Sequence, residues 1–285
     1  MLSTSSVATS KQLPARVQTY LEALAQTCAQ DGPSLVSVIL FGSAAKGSFS
    51  GDVSDVDLII VVPDGVSRET RRRLSEDVAR LETTHGLRGA TTASPTGVRA
   101  FIERFMGHGL SCFICTRADV VSGSMARMLG LRQLEMLFVD RIVLASIIAS
   151  AVTLWGENLL PHVPAPSVRR LDVFKALFGF CGQVVFSAAA FPVLPDATQY
   201  AMGTLKHSLH SCFFCYHRRT ATLEQEVDFF QPRLGASQLL VELLALRNHY
   251  RPSFGFVIRC LPVIVRLHLR TARENSFPRA AAGTA

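Results

Sequence analysis

The stretch that decides the fold runs from Ile39 to Val62 and reads "ILFGSAAKGSFSGDVSDVDLIIVV". It opens as the end of "LVSVILF" (35–41), a short apolar, β-branched segment of the kind that forms a buried strand. Gly42-Ser43 follows at once, opening a short turn through Ala44-Ala45-Lys46, and small and polar residues carry the chain to a second strand, "DVDLIIVV" (55–62). Pro63-Asp64-Gly65 closes that strand with turn residues. Residues two apart on a strand project from one face, so Asp55 and Asp57 stand side by side, about 6–7 Å apart along the strand, while Val56 and Leu58 point into the core. Two acids on one side interrupt a strand that would otherwise be buried on both faces. Asp52, beside Gly51, reads as a loop acid.

Such a pair suits a divalent cation, because Mg²⁺ takes one or two protein carboxylates and fills the rest of its shell with phosphate oxygens and water. The glycine supplies the other half of the chemistry. Without a side chain at Gly42 a phosphate chain can approach the backbone, and the N–H groups of the turn, with the Ser43 hydroxyl, are donors to it.

Outward from this stretch the pattern is α/β. Leu13, Val17, Leu21 and Leu24 recur at helical spacing, giving a helix that ends near Asp31-Gly32-Pro33. After the second strand, Ser67 caps a helix with Leu74, Val78 and Leu81 inward. Ser94-Pro95 opens another, with Val98, Phe101, Ile102 and Phe105 on its apolar side, and "LSCFICT" (110–116) is a third strand. Past Gly123 the β signal fades: 141–160 reads as one long apolar helix, 161–170 has the proline density of a linker, and five helices follow over 171–191, 198–217, 223–230, 237–250 and 254–273. The expected plan is a flexible start (1–10), an α/β domain with a short mixed sheet (11–160), a linker (161–170), an all-α bundle (171–275) and a flexible tail (276–285).

The 285 residues are long enough for two cores. They are 48% hydrophobic, with a mean hydropathy of +0.28, which excludes a disordered chain. With 29 Lys+Arg against 22 Asp+Glu the net charge of +7 permits an anionic partner, yet no nucleic-acid motif accompanies it, and nucleic acid is not expected as a partner. The start carries no basic segment leading into an apolar run, and the seven cysteines lie mostly in apolar surroundings, so buried free thiols in the cytoplasm are expected. The longest apolar run, Ala176 to Leu194, is broken by Gln183, two glycines and Pro192, and reads as a buried bundle helix, not a membrane span.

Strand, Gly-Ser, about ten intervening residues, then Asp-x-Asp within a second strand: this resembles the signature of the DNA polymerase β-like nucleotidyltransferase superfamily. Its minimal and aminoglycoside-type members share the helix before the motif and the helices after it. The resemblance implies transfer of a nucleoside monophosphate, AMP above all, from ATP or another NTP to a hydroxyl, with pyrophosphate leaving. Asp55 and Asp57 would hold Mg²⁺ or Mn²⁺, and Gly42 and Ser43 the β and γ phosphates. The acceptor would be a small hydroxylated compound, as for the aminoglycoside enzymes, or a protein hydroxyl, as for the minimal enzymes of toxin–antitoxin pairs. Active members add a third carboxylate from a neighbouring strand, and "LSCFICT" has none. Asp119, just beyond that strand, is the candidate to replace it, and Glu103 precedes it. A protein of this fold that binds nucleotide but catalyses weakly or not at all is the alternative.

Lys46 in the motif loop and Lys206 on a helix of the second half are further candidates to meet the triphosphate; for Lys206 the plainer alternative is a lysine snorkelling from an apolar helix. Cys112-x-x-Cys115 and Cys212-x-x-Cys215, the latter near His207, His210 and His217, invite a zinc reading. Positions three apart on a strand face opposite sides, and both pairs enclose bulky apolar residues, so core thiols are the preferred reading.

Overall fold

The computed structural model describes residues 15–30, 33–45, 56–87, 112–128, 141–163, 167–192, 194 and 197–275. The expected helix following Ser94 lies outside these residues. The chain divides into two compact units, residues 1–136 with 150–165, and residues 137–149 with 166–285.

In the first unit, α1 (Ala15–Gln30) precedes β1 (Ser37–Phe41), the single turn α2 (Gly42–Ala45) and β2 (Asp57–Val62). Then come α3 (Arg68–Thr84), β3 (Cys112–Thr116), α4 (Arg117–Val121) and α5 (Met125–Met128). β4 (Val152–Gly156) completes, among the described residues, a four-stranded mixed sheet of order β3-β2-β1-β4. β1 runs antiparallel to both β2 and β4, and β2 parallel to β3. Hence β2, β3 and β4 all begin at the end of the sheet where β1 finishes.

The alternation of β2 sorts its two faces. Leu58, Ile60 and Val62 pack, with Val38 and Leu40 of β1, against Val17, Tyr20, Leu24 and Cys28 of α1 and Leu74 and Val78 of α3. Ile59 and Val61 lie on the opposite face with Ile39 and Phe41 of β1, all of them buried. Asp57 belongs to this second face, at its edge. The helix α3 starts where Ser67 accepts a hydrogen bond from the Thr70 N–H (3.0 Å), as its sequence requires.

One expectation is corrected here. Residues 141–160 do not form a single helix: α6 (Arg141–Ser150) stops, and Val152–Gly156 becomes β4. The β-branched pair Val152-Thr153 with Leu154 and Trp155 suits a strand, and Gly156 ends it at φ +81°. A Cβ at Gly156 would lie 2.9 Å from the Val36 carbonyl carbon and 3.0 Å from Ser37 Cα, so β1 approaches β4 more closely than any other residue permits. Ile142 and Ala145 of α6 join the core of the second unit instead of the first.

The second unit holds α7 (Arg170–Ala190), α8 (Ala197–His217), α9 (Leu223–Phe230), α10 (Gln238–Asn248) and α11 (Phe254–Glu274). α7, α8 and α11 pack on one another around one apolar core that includes Phe180, Leu205, Leu209, Phe256 and Ile264. Within it His268 is buried, its Nδ1 3.0 Å from the Ile264 carbonyl oxygen and 3.2 Å from Ser208 Oγ. Burial pushes the pKa of this imidazole down to about 4. The run from Ala176 to Leu194 was expected to be buried; Phe178 and Val185 within it are instead exposed, as is Leu171 just before it.

Candidate active site

The site grows from the end of the β1–β2 pairing. Phe41 stands opposite Asp57, and Gly42 is the first residue past the strand, at φ +71°. Its backbone lies so close to β2 that a Cβ there would sit 2.9 Å from Asp57 Cγ, 3.2 Å from Asp57 Cβ, and overlap Oδ2 outright. The Asp57 carboxylate therefore fills the space that the glycine leaves vacant. The backbone of the turn and the side chain of a strand-end acid thus meet directly, and only the one side chain has to be ordered, where a contact between two flexible side chains would cost more entropy. Asp57 remains half-buried. Behind it the same face of the sheet is apolar, with the rings of Phe41 and Phe113 6.0 Å apart.

Ser43 is the second residue of α2, next to this junction. Asp55 and Lys46 lie outside the described residues. Lys206 lies midway along α8 in the second unit, half-buried.

Asp119 is a correction. Because β3 runs parallel to β2, with Leu58 opposite Cys112 and Val62 opposite Thr116, the residues following Thr116 lie at the end of the sheet away from Asp57, a strand length of roughly 15 Å. There Asp119 is the third residue of α4. Its Oδ2 accepts from the Thr116 N–H (3.0 Å) and from Thr116 Oγ1 (2.8 Å), while Thr116 Oγ1 accepts from the Asp119 N–H (3.2 Å). This reciprocal pair is a capping box, a structural use of the acid. β3 itself contributes no carboxylate, and Cys112, opposite Leu58, is on the helix-covered face and not the face of Asp57.

None of the cysteines is joined in a disulfide. Burial pushes Cys28 up to about 11, Cys115 up to about 12 and Cys112 well above the usual thiol range, so they stay protonated and are poor metal ligands. Among the described residues no three His, Cys, Asp or Glu side chains come together as a metal site. His210 instead pairs through Nδ1 with the buried Glu226 Oε2 at 2.5 Å.

At the far end of the sheet, Arg117 grips Glu157 through two hydrogen bonds, Nε to Oε2 (2.9 Å) and Nη2 to Oε1 (2.7 Å), and Asp64 Oδ1 accepts from the Ala118 N–H (2.7 Å). The guanidinium holds the Glu157 carboxyl below the usual carboxylate range. These contacts tie the ends of β2, β3 and β4 together. Sequence reading missed the Arg117–Glu157 brace, whose partners are forty residues apart with no local signal linking them.

Residues 21–90 match the family model described as "Nucleotidyltransferase domain", a span that covers most of α1, both motif strands, the loop between them and α3. Over this segment, about a quarter of the chain, the sequence is similar to a nucleotidyltransferase domain, and the segment holds both Gly42 and Asp57. No curated protein matches it significantly. A similar solved structure is that of spectinomycin adenyltransferase from Enterococcus faecialis with ATP and spectinomycin, at 9% identity and a TM-score of 0.49, covering 88% of this chain and 98% of that one.

Proposed function

We propose that the protein transfers a nucleoside monophosphate, AMP from ATP in the first instance, to a hydroxyl of a small molecule or a protein, in a reaction that requires Mg²⁺ or Mn²⁺. The acceptor oxygen forms the new bond to the α-phosphorus, the α–β phosphoanhydride breaks, and pyrophosphate leaves. The observation that carries the reading is the Gly42–Asp57 junction, which sets a carboxylate directly against the turn that opens at the end of β1.

Asp57, with Asp55 two residues before it, offers hard oxygen ligands, which suit Mg²⁺ or Mn²⁺ and not a thiolate-seeking ion. When bound, a divalent ion supplies charge neutralisation at the leaving phosphates and a lower pKa at the attacking hydroxyl. Gly42 lets the β and γ phosphates approach the backbone, and Ser43 stands beside them as a donor. Seven cysteines mostly in apolar surroundings, an odd number, support a cytoplasmic setting.

A specific observation favours a second reading, in which nucleotide binds but transfer is slow: β3 brings no acid to the Asp57 face, and Asp119 is spent on a helix cap. Labelled NTPs with Mg²⁺ or Mn²⁺ and a panel of aminoglycoside and protein acceptors separate the two, run beside an Asp55→Ala, Asp57→Ala double variant. Metal-dependent pyrophosphate release by wild type alone supports transfer. ATP binding without release supports the second reading, and an unaltered rate in the double variant removes the proposal.

A further inference from the structure

The second unit carries an apolar surface that its own core does not use. Along α7, Leu171, Phe178 and Val185 are 76%, 77% and 56% exposed, and their spacing of seven puts them on one stripe that also takes Lys175, Gly182 and Ala189. The opposite side of the same helix, Val173, Ala176, Leu177, Phe180 and Val184, is buried. A helix apolar all round is ordinarily covered all round.

The stripe continues onto α11. The Phe191 ring, just past α7, lies 5.1 Å from Phe254 at the start of α11, and Phe180 lies 5.5 Å from His268 near its end, so the two helices run antiparallel. Gln183 bonds Thr204 of α8 and so marks the inner flank of α7, leaving the outer flank, Phe174 and Cys181, beside α11. On α11, His268 faces α7 and Arg259 reaches Glu242 of α10. Between those two directions, on the outside and next to α7, helical spacing places Phe254, Ile258, Leu261, Val265 and Leu269. Phe254 and Ile258 are 47% and 49% exposed.

We propose that this outer face of α7 and α11 is the interface through which two copies of the chain pair about a two-fold axis. Size is the first argument. Two helices about 30 Å long, with axes about 9 Å apart, present a face of roughly 600 Å², at the upper limit for an uncovered apolar patch and near the ~800 Å² each partner gives a standard interface. Charge is the second. From Ala176 to Ala190 α7 has no charged residue; Lys175, which helical spacing puts on the stripe between Leu171 and Phe178, lies toward its N-terminal end, and Arg266 and Arg273 stand at the edge of the face on α11, so the charges surround an uncharged centre. A second copy brings the same centre, and its large Phe178 and Val185 alternate with small Gly182 and Ala189, so two such faces interlock into a four-helix layer.

The full chain, measured by light scattering on a sizing column across micromolar concentrations, is expected to show twice its 31.0 kDa mass. Phe178→Lys, at an exposed position, should keep the helical circular dichroism and weaken pairing by about 30-fold or more. Val241→Lys, on α10 and as exposed as Val185, should pair as wild type does. If Phe178→Lys folds poorly, Val185→Lys makes the same test. A monomeric wild type overturns the proposal, as does a Phe178→Lys and Val185→Lys pair of variants that dimerise normally. So does a monomer that cosediments with anionic phospholipid vesicles, which assigns the face to a membrane surface.

Discussion

Replacing Gly42 by alanine perturbs the candidate site through one methyl group. The backbone there has φ +71°, a left-handed conformation that costs a residue with a Cβ about 1–2 kcal/mol. The new Cβ would also stand 2.9 Å from Asp57 Cγ and overlap Oδ2, so the carboxylate must swing aside by about 1 Å. Asp57 is a side chain at a strand end and can move, which confines the stability loss to the backbone cost, a fall in melting temperature of about 5 °C. Function has no such latitude, since misplacing a reacting group by about 1 Å costs about 100-fold in rate. The expected outcome of Gly42→Ala is therefore a folded protein, slightly less stable, whose kcat/KM for pyrophosphate release drops about 100-fold. A variant that shows the stability loss and keeps its rate within about threefold would refute the reasoning.

Gly156→Ala makes the opposite contrast: its Cβ would meet the backbone of Val36 and Ser37, which cannot swing away, so about 3 kcal/mol of unfolding free energy should be lost in a urea titration. Asp119→Ala removes a capping box and should cost about 1 kcal/mol while leaving pyrophosphate release unchanged; a 100-fold loss of rate would return Asp119 to the catalytic site. His268 is held neutral, its pKa depressed from 6.5 to about 4, so the unfolded chain binds the extra proton between those values. Its contribution is complete above pH 6.5 and disappears as pH falls toward 4, about 3 kcal/mol in all. His268→Gln should flatten that part of the stability profile, and identical acid profiles would contradict the assignment.

Much of the fold was legible in short-range pattern. The β-branched run before Gly42, the return at Asp57, the Ser67 cap and the helices of the second unit all follow from local spacing and residue type. β4 was not legible, because Val152–Gly156 continues the apolar run of α6 and pairs with β1 more than a hundred residues away; Val152, Thr153 and Trp155 were the available signal. Asp119 was misread because nearness to a strand in sequence does not say at which end of the sheet a residue emerges. The parallel register of β3 decides that, and Thr116-x-x-Asp119 could have been recognised as a capping box. At the site, sequence supplied Gly42 and Asp57 as separate candidates, and the structure shows that one occupies the volume the other lacks. The exposed face of α7 was hidden because an apolar helix gives the same composition whether its second face meets its own core or something else.

If the proposed reaction is right, the acid at the start of β2 holds a cation for a nucleotide seated at the Gly42 turn. The paramagnetic signal of Mn²⁺, followed by electron spin resonance as ATP and protein are added, reads this without knowledge of the acceptor. Wild type should immobilise Mn²⁺ in the presence of ATP, and Asp57→Asn, with unchanged circular dichroism, should leave it as it is with ATP alone. Equal immobilisation by both proteins would contradict the account.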